Sequence, residues 1–241
     1  MQDLTGKVAI VTGGGQGLGA ATANALAHAG VTVVCADVQE DKARQVADSL
    51  TAEGCGADSV KLDVTDESSV SRAVTQVLTD HGRIDFLINN AGTDVTKAFH
   101  EMTVGEFERV MNVNLRGAFL MAKYVIPHLY EQRSGHIVNI ASTAAKRMWQ
   151  NATAYHATKW GLIGFSHALF TEARVYNVKV SAIVAGGMQT PFILDRFPDT
   201  PLDKLQDPKN VAQTIVFVLS QPPETIIPEV MVVPLNESSW P

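Results

Sequence analysis

The chain has 241 residues, 46% of them hydrophobic and 18% charged, with a formal net charge of −6. That is a globular composition, and a chain of this length buries roughly 70% of its unfolded surface, so it needs no disulfide or metal staple. The acidic balance and the lack of any basic run speak against a nucleic-acid partner. No run approaches the roughly 18 apolar residues of a membrane span, and the N-terminus lacks the basic head and apolar region of a secretory signal. Cys35 and Cys55 are expected to be free thiols of a cytoplasmic protein. The histidines are scattered without zinc spacing, so no metal is expected in the chemistry.

Val- and Ile-rich runs at 7–13, 31–37, 59–64, 84–92, 135–142, 178–186 and 228–235 read as strands. Most are continuous rather than alternating, as in strands covered on both faces. Helical spacing occupies the intervals. Over 16–30, Leu18, Ala21, Ala25 and Ala29 share a face and Gly30 ends the helix. Over 66–82, Asp66 is the expected N-cap and Gly82 the stop. One long helix is expected over 103–135, and another over 151–177 with Asn151 as its cap. This alternation predicts an α/β protein with a doubly wound, mostly parallel sheet of about seven strands and right-handed crossovers. The Pro-rich stretch 219–229 lies too near the end to be an interdomain linker, so one domain over 1–241 is expected.

The stretch TGGGQGLG (12–19) follows the first strand and opens a helix. Free N–H groups and the helix dipole hold phosphate there, and glycines let the backbone approach it closely. The second strand ends in Asp37, whose carboxylate can accept both ribose hydroxyls of an adenosine. Against a 2′-phosphate it would meet a like charge, on the order of 4 kcal/mol at about 4 Å and an effective dielectric of about 20, before salt screening. The pattern therefore predicts NAD(H) rather than NADP(H). A methyltransferase also places an acid after its second strand, but it has no need of the cluster that follows.

Tyr155 and Lys159 lie four apart on a helix, and Ser142 ends the preceding strand at the edge where open α/β sheets bind ligands. Removing a proton from an alcohol while hydride leaves needs a base. Bringing a phenol from about 10 to about 7 takes roughly 4 kcal/mol, and an ammonium within about 4–6 Å supplies one to three of those three pKa units. Taken singly, each residue has an ordinary reading: a surface Tyr–Lys pair, a serine cap, a buried asparagine at Asn114.

Together these features resemble the short-chain dehydrogenase/reductase family. TGGGQGLG fits its T-G-x-x-x-G-x-G loop, and LDV (62–64), NNAG (89–92), NVN (112–114), Ser142, YHATK (155–159) and GGMQT (186–190) follow in order over essentially the whole chain. The resemblance implies a single-domain Rossmann fold and an NAD(H)-dependent oxidoreductase acting on a small alcohol or carbonyl substrate. It gives Tyr155 the acid/base role, with Lys159 lowering its pKa and holding the nicotinamide ribose. Ser142 would hydrogen-bond the substrate oxygen, and Asn114 would anchor a water chain beyond Lys159. Cofactor contacts are implied at Gly13, Gln16, Gly17, Leu18, Gly19, Asp37 and Val38. Asp63 and Val64 would bracket the adenine, and Asn90, Ala91 and Gly92 would line the adenosine ribose. Gly186, Met188 and Thr190 would lie at the nicotinamide.

One departure stands out: Ala185 occupies the place where the family usually has proline. Without proline's fixed φ, a looser nicotinamide-side loop is expected. Substrate-facing positions are expected at Thr93, Asp94, Ser142, Thr143, Ala144, Trp149, Gln150, Tyr155, Gly187, Met188 and Phe192. Residues 188–207 form a short lid suited to a small or medium substrate, and Lys146 and Arg147 stand near its mouth. Two alternatives remain open. One is a 3-oxoacyl reductase acting on carrier-protein or coenzyme A thioesters. The other is a catalytically idle NAD(H)-binding sensor or scaffold. The resemblance also implies a homotetramer built on the helices near 103–132 and 151–177.

Overall fold

The computed structural model describes residues 2–237. Seven strands form one sheet: β1 (Val8–Thr12), β2 (Thr32–Asp37), β3 (Ala57–Lys61), β4 (Phe86–Asn89), β5 (Gly135–Ser142), β6 (Val178–Ala185) and β7 (Glu229–Val232). All pairs are parallel, in the order β3-β2-β1-β4-β5-β6-β7. The helices are α1 (Gly17–His28), α2 (Glu40–Ala52), α3 (Glu67–His81), α4 (Val104–Met111), α5 (Gly117–Gln132), α6 (Thr153–Ala173), α7 (Pro191–Leu194) and α8 (Pro208–Leu219).

The period of two along each strand splits the core into two layers. Ala9 and Val11 of β1 pack with Leu18 and Leu26 of α1 and with Val211 and Ile215 of α8. Val8 and Ile10 pack on the opposite face, with Val70 and Val74 of α3 and Met121 and Val125 of α5. Both faces are covered, which is why the strands read as unbroken apolar runs. The strand order reverses between β1 and β4. Loops leaving the carboxyl ends of those two strands diverge there and open a crevice.

Some boundaries differ from the sequence reading. The helix expected over 103–135 is interrupted by a π-turn at Asn112–Arg116, between α4 and α5. Asn151 does not cap α6. Ala152 stands at that position, while Asn151 takes a left-handed φ of 65° and its carbonyl accepts from the Lys97 N–H at 2.9 Å. Asparagine tolerates that region of the backbone better than most residues. β3 sits two residues earlier than expected at its start, leaving Leu62–Val64 in the loop above it. Asp66 does cap α3, accepting from the Ser68 N–H, and Gly82 closes that helix at φ 73°. Both cysteines are free thiols.

At the amino-terminal end of the strands, away from the crevice, His136 at the start of the interior strand β5 is buried. Its Nε2 lies 2.8 Å from Ser181 Oγ, whose own proton goes to the Ile227 carbonyl at 2.6 Å. Ser181 can therefore only accept from the imidazole, so His136 carries its proton on Nε2.

Candidate active site

A cavity of about 930 Å³ runs along the crevice, within the size range of small-molecule and cofactor sites. It collects nearly every residue singled out from the sequence. Gly13, Gln16, Gly17, Leu18, Asp37, Val38, Asp63, Val64, Asn90, Ala91 and Gly92 line one part. Ser142, Thr143, Trp149, Gln150, Tyr155, Lys159, Gly186, Gly187, Met188, Thr190 and Phe192 line the other. Gly19, Asn114 and Ala144 are not among the lining residues. Ala144, expected to face substrate, is fully buried, its N–H donating to Ser142 Oγ and its carbonyl facing His156 Nδ1.

Gly19, in the first turn of α1, lies so close to the loop that a Cβ would run into the Gly13 carbonyl oxygen and Asn90 Nδ2. Its smallness lets the loop close on itself. Gly13 turns the chain at φ 63° against the backbone of Ala91. Asn90 binds the two loops together, with Nδ2 donating to the Thr12 and Gly13 carbonyls at 2.9 and 3.2 Å. Asp37, 8% exposed, ends β2 beside this loop. One of its oxygens accepts from the Gly15 N–H at 3.0 Å and the other from the Gln39 N–H at 2.9 Å. The carboxylate is thus fixed in direction, and each oxygen keeps a second lone pair. Asp63 is turned into a local turn, one oxygen accepting from the Thr65 N–H and hydroxyl at 2.9 and 2.7 Å.

Asn114 sits inside the π-turn, a widening of the helix that recurs at functional sites. Its Oδ1 accepts from the Thr93 N–H at 2.8 Å, and its Nδ2 donates to the Thr93 carbonyl at 2.8 Å and to Thr158 Oγ1 at 3.1 Å. It fixes the loop after β4 onto α6, behind the cavity wall.

Tyr155 and Lys159 share the inner face of α6, with Lys159 Nζ 5.4 Å from the Tyr155 ring centroid. Nζ donates to the Ile140 carbonyl at 2.7 Å. Ser142 Oγ accepts from the Ala144 N–H at 3.2 Å and hydrogen-bonds the Tyr155 phenol. Burial pushes Tyr155 up to about 12, against the hydrogen bond from Ser142; the Asp94 carboxylate pushes it further up and the Arg196 guanidinium down. Burial pulls Lys159 down to about 8, and Asp94 partly offsets this. The lowering of Tyr155 by Lys159 expected from the sequence is therefore not delivered by the chain's own groups. Desolvation of the phenol dominates, and the groups that lower it are Ser142 and Arg196, while Lys159 is itself desolvated and held on the Ile140 carbonyl.

The segment after β6 is tied down rather than loose. Ala185 is paired on both sides, with Ser142 and with Val232, so a proline here would remove a ladder donor. The Gly186 N–H donates to the Val232 carbonyl at 2.8 Å, and the Gly187 N–H to Glu237 at 3.0 Å. Met188 bridges to Gln206, closing residues 188–207 into a loop over the cavity.

Two features were missed in the sequence. Arg196 donates to Asp94 at 2.6 Å, lies over the Phe192 ring at 4.1 Å and grips the Phe192 carbonyl; Phe192 in turn packs 5.7 Å from Tyr155. This staple joins residues about a hundred positions apart, which no local pattern signals. Glu237 reaches back from beyond β7 to the Gly187 amide.

A glycine-rich strand-to-helix loop facing a buried Ser–Tyr–Lys cluster across one crevice defines a nucleotide-dependent oxidoreductase. A family model for short chain dehydrogenases matches residues 7–200. The chain belongs to the short-chain dehydrogenase/reductase family. It is 37% identical over 227 residues to an uncharacterized oxidoreductase of Thermotoga maritima, covering 89% of each chain. It is 34% identical to the 3-oxoacyl-acyl-carrier-protein reductase FabG of the same organism, covering 90% of this chain and 92% of that one. Among solved structures, a metagenomic short-chain oxidoreductase in complex with NADP superposes with a TM-score of 0.86 at 31% identity, covering 97% of this chain and 99% of that one. The protein is thus an oxidoreductase of a family that binds nicotinamide cofactors. No helix among the described residues is long and apolar enough to cross a membrane.

Proposed function

We propose that the protein interconverts a secondary alcohol and its ketone with NAD(H), using Tyr155 as the general acid/base. The observation that carries this reading is the placement of Ser142, Tyr155 and Lys159 in the same cavity as Asp37 and the glycine loop. The donor set fits the group: backbone crowding that only glycine permits, a helix N-terminus, and a carboxylate held by two amides. A bound nicotinamide would supply or accept the hydride and, when oxidised, bring a positive charge beside the phenol. Tyr155, protonated at neutral pH, is a ready proton donor to a carbonyl oxygen. Ser142 orients that oxygen by hydrogen bonding. In the oxidative direction Tyr155 must act as phenolate, a form that the positive charge of an oxidised nicotinamide, added to the nearby Lys159 ammonium, would favour. Asn114 holds the Thr93 loop and Thr158 in place behind Lys159, where a water relay would run. Residues 188–207 act as the lid, clamped by Arg196 on Asp94.

NAD(H) is assigned over NADP(H) because Asp37, fixed at the end of β2, would meet the adenosine ribose with negative charge. The competing observation is Lys42, whose Nζ lies 2.7 Å from Gln16 Oε1 at the same rim and offers a cation to a 2′-phosphate. Titrating NADH and NADPH separately, followed by nicotinamide fluorescence, decides between them. NADH is expected to bind at least about tenfold more tightly, with the preference lost in Asp37→Ala, since like charges at this range oppose each other by a few kcal/mol at most after screening. A preference for NADPH would overturn the assignment. It would also bring forward a 3-oxoacyl-thioester reductase, the activity named for the 34%-identical relative.

The free thiols suit a reducing compartment, and we place the enzyme in the cytoplasm. Phe119 of α5 and Trp160 of α6 are about half exposed on helices that would otherwise waste apolar surface. We take this face as part of a homotetramer. Light scattering is expected to give the mass of four chains, and a monomer mass would remove this element of the reading.

A further inference from the structure

His156 follows Tyr155 in sequence but is not among the residues that line the cavity. Its Nδ1 lies 2.7 Å from the Ala144 carbonyl, and its Nε2 lies 3.2 Å from the Trp149 N–H. A carbonyl can only accept and an amide N–H can only donate, so Nδ1 carries the proton and Nε2 presents a lone pair. One neutral tautomer thereby spans the loop that leaves β5. The Trp149 indole also packs edge-on against the imidazole, with centroids 4.5 Å apart at 65°. The two ends of this loop have other anchors. Lys146 and Arg147 donate their N–H groups to the Thr143 carbonyl at 2.8 Å, and the Asn151 carbonyl accepts from Lys97. At the middle, where Trp149 and Gln150 line the cavity, the imidazole is the tie. Trp149 is 42% exposed, so little core packing backs it up.

We propose that His156 is a positioning residue that seats Trp149 as a wall of the substrate chamber, and so sets the enzyme's preference for carbonyl compounds bearing an aryl group. The chamber is suited to such a group: Phe192 and Phe197 line it together with Trp149. His156 touches none of the reacting atoms. The proposal rests on the carbonyl-reductase reading above, and it is tested so that the two can fail separately.

The probes are acetophenone and acetone, used with the full-length protein. Trp149 emission, taken as the difference between each protein and its Trp149→Phe counterpart, reads the seat and ketone binding without turnover. Reduction with NADH reads the chemistry. His156→Ala is expected to shift Trp149 emission and weaken acetophenone binding and KM by about tenfold, in the range of an altered apolar pocket contact. The KM for acetone should stay near that of the parent, and kcat for acetophenone should fall far less than its KM rises. His156→Gln keeps one donor and one acceptor and is expected to restore the acetophenone values. Trp149→Ala should reproduce the His156→Ala defect. Unchanged Trp149 emission in His156→Ala, equal effects on acetone and acetophenone, or failure of glutamine to rescue where alanine disrupts would each overturn the proposal. Absence of turnover with both ketones, while Trp149 emission still reports acetophenone binding, would sink the carbonyl-reductase reading and leave the seating role standing.

Discussion

Replacing Tyr155 by phenylalanine is expected to lower turnover by about 10²–10⁴-fold, the usual contribution of a positioned general acid/base, while NADH binding is unchanged. The fold should tolerate the change, because the ring stays buried and only the hydrogen bond with Ser142 is lost. Lys159→Met is expected to abolish activity as well, yet with the opposite effect on stability. Burial lowers the folded-state pKa of Lys159 from 10.5 to about 8, so below pH 8 the fold holds an ammonium it disfavours. That shift corresponds to a penalty of about 3 kcal/mol, from which about 1 kcal/mol is lost again when the Ile140 carbonyl loses its donor. A net stabilisation of about 2 kcal/mol follows at pH 7. It should shrink as pH rises from about 8 to 10.5, because the wild-type lysine then sheds its proton in the folded state. Thermal melting of both proteins at pH 7 and pH 10 checks this. A Lys159→Met protein less stable than wild type at pH 7 would mean that the ammonium is not held against solvation. Stability given up for a charged group in the site is the pattern of a working centre rather than of a scaffold.

The second large effect concerns acid. Burial, with the nearby Lys179 charge, drops His136 from 6.5 in the unfolded chain to about 3 in the fold. Below pH 6.5 the unfolded chain takes up a proton that the fold refuses, so stability falls with pH from 6.5 toward 3. The slope from this one group approaches about 1.4 kcal/mol per pH unit, amounting to about 3 kcal/mol by pH 4.5. His136→Gln keeps an Nε2 donor for Ser181 and does not titrate. It is expected to melt slightly below wild type at pH 7.5 and to lose much less stability between pH 6.5 and 4.5. Parallel melting curves for the two proteins across that range would show that another group carries the acid sensitivity. This sensitivity lies at the amino-terminal end of the strands, away from the crevice, so it should act on the fold before it acts on the chemistry.

The sequence alone determined the layered α/β architecture and most of the site, because both rest on local rules. Unbroken Val and Ile runs report strands buried on both faces. A glycine loop between strand and helix reports a phosphate cradle, and the spacing of Tyr155 and Lys159 reports a shared helix face. Local rules also placed Asp66 and Gly82 at the ends of α3. Tertiary structure decided what depends on close approach between distant segments. The π-turn places Asn114 where its side chain bonds Thr93 in the loop after β4. Asn151 gave up its capping role because the Lys97 strand-end loop takes its carbonyl. Ala185 turned out to be a ladder position, held between β5 and β7, neither of which is near it in sequence. The charge balance at Tyr155 was not legible for the same reason. A four-residue spacing says that a lysine is near, but the depth of burial sets which way the phenol shifts, with Ser142 opposing it and the distant Asp94 and Arg196 acting in opposite senses.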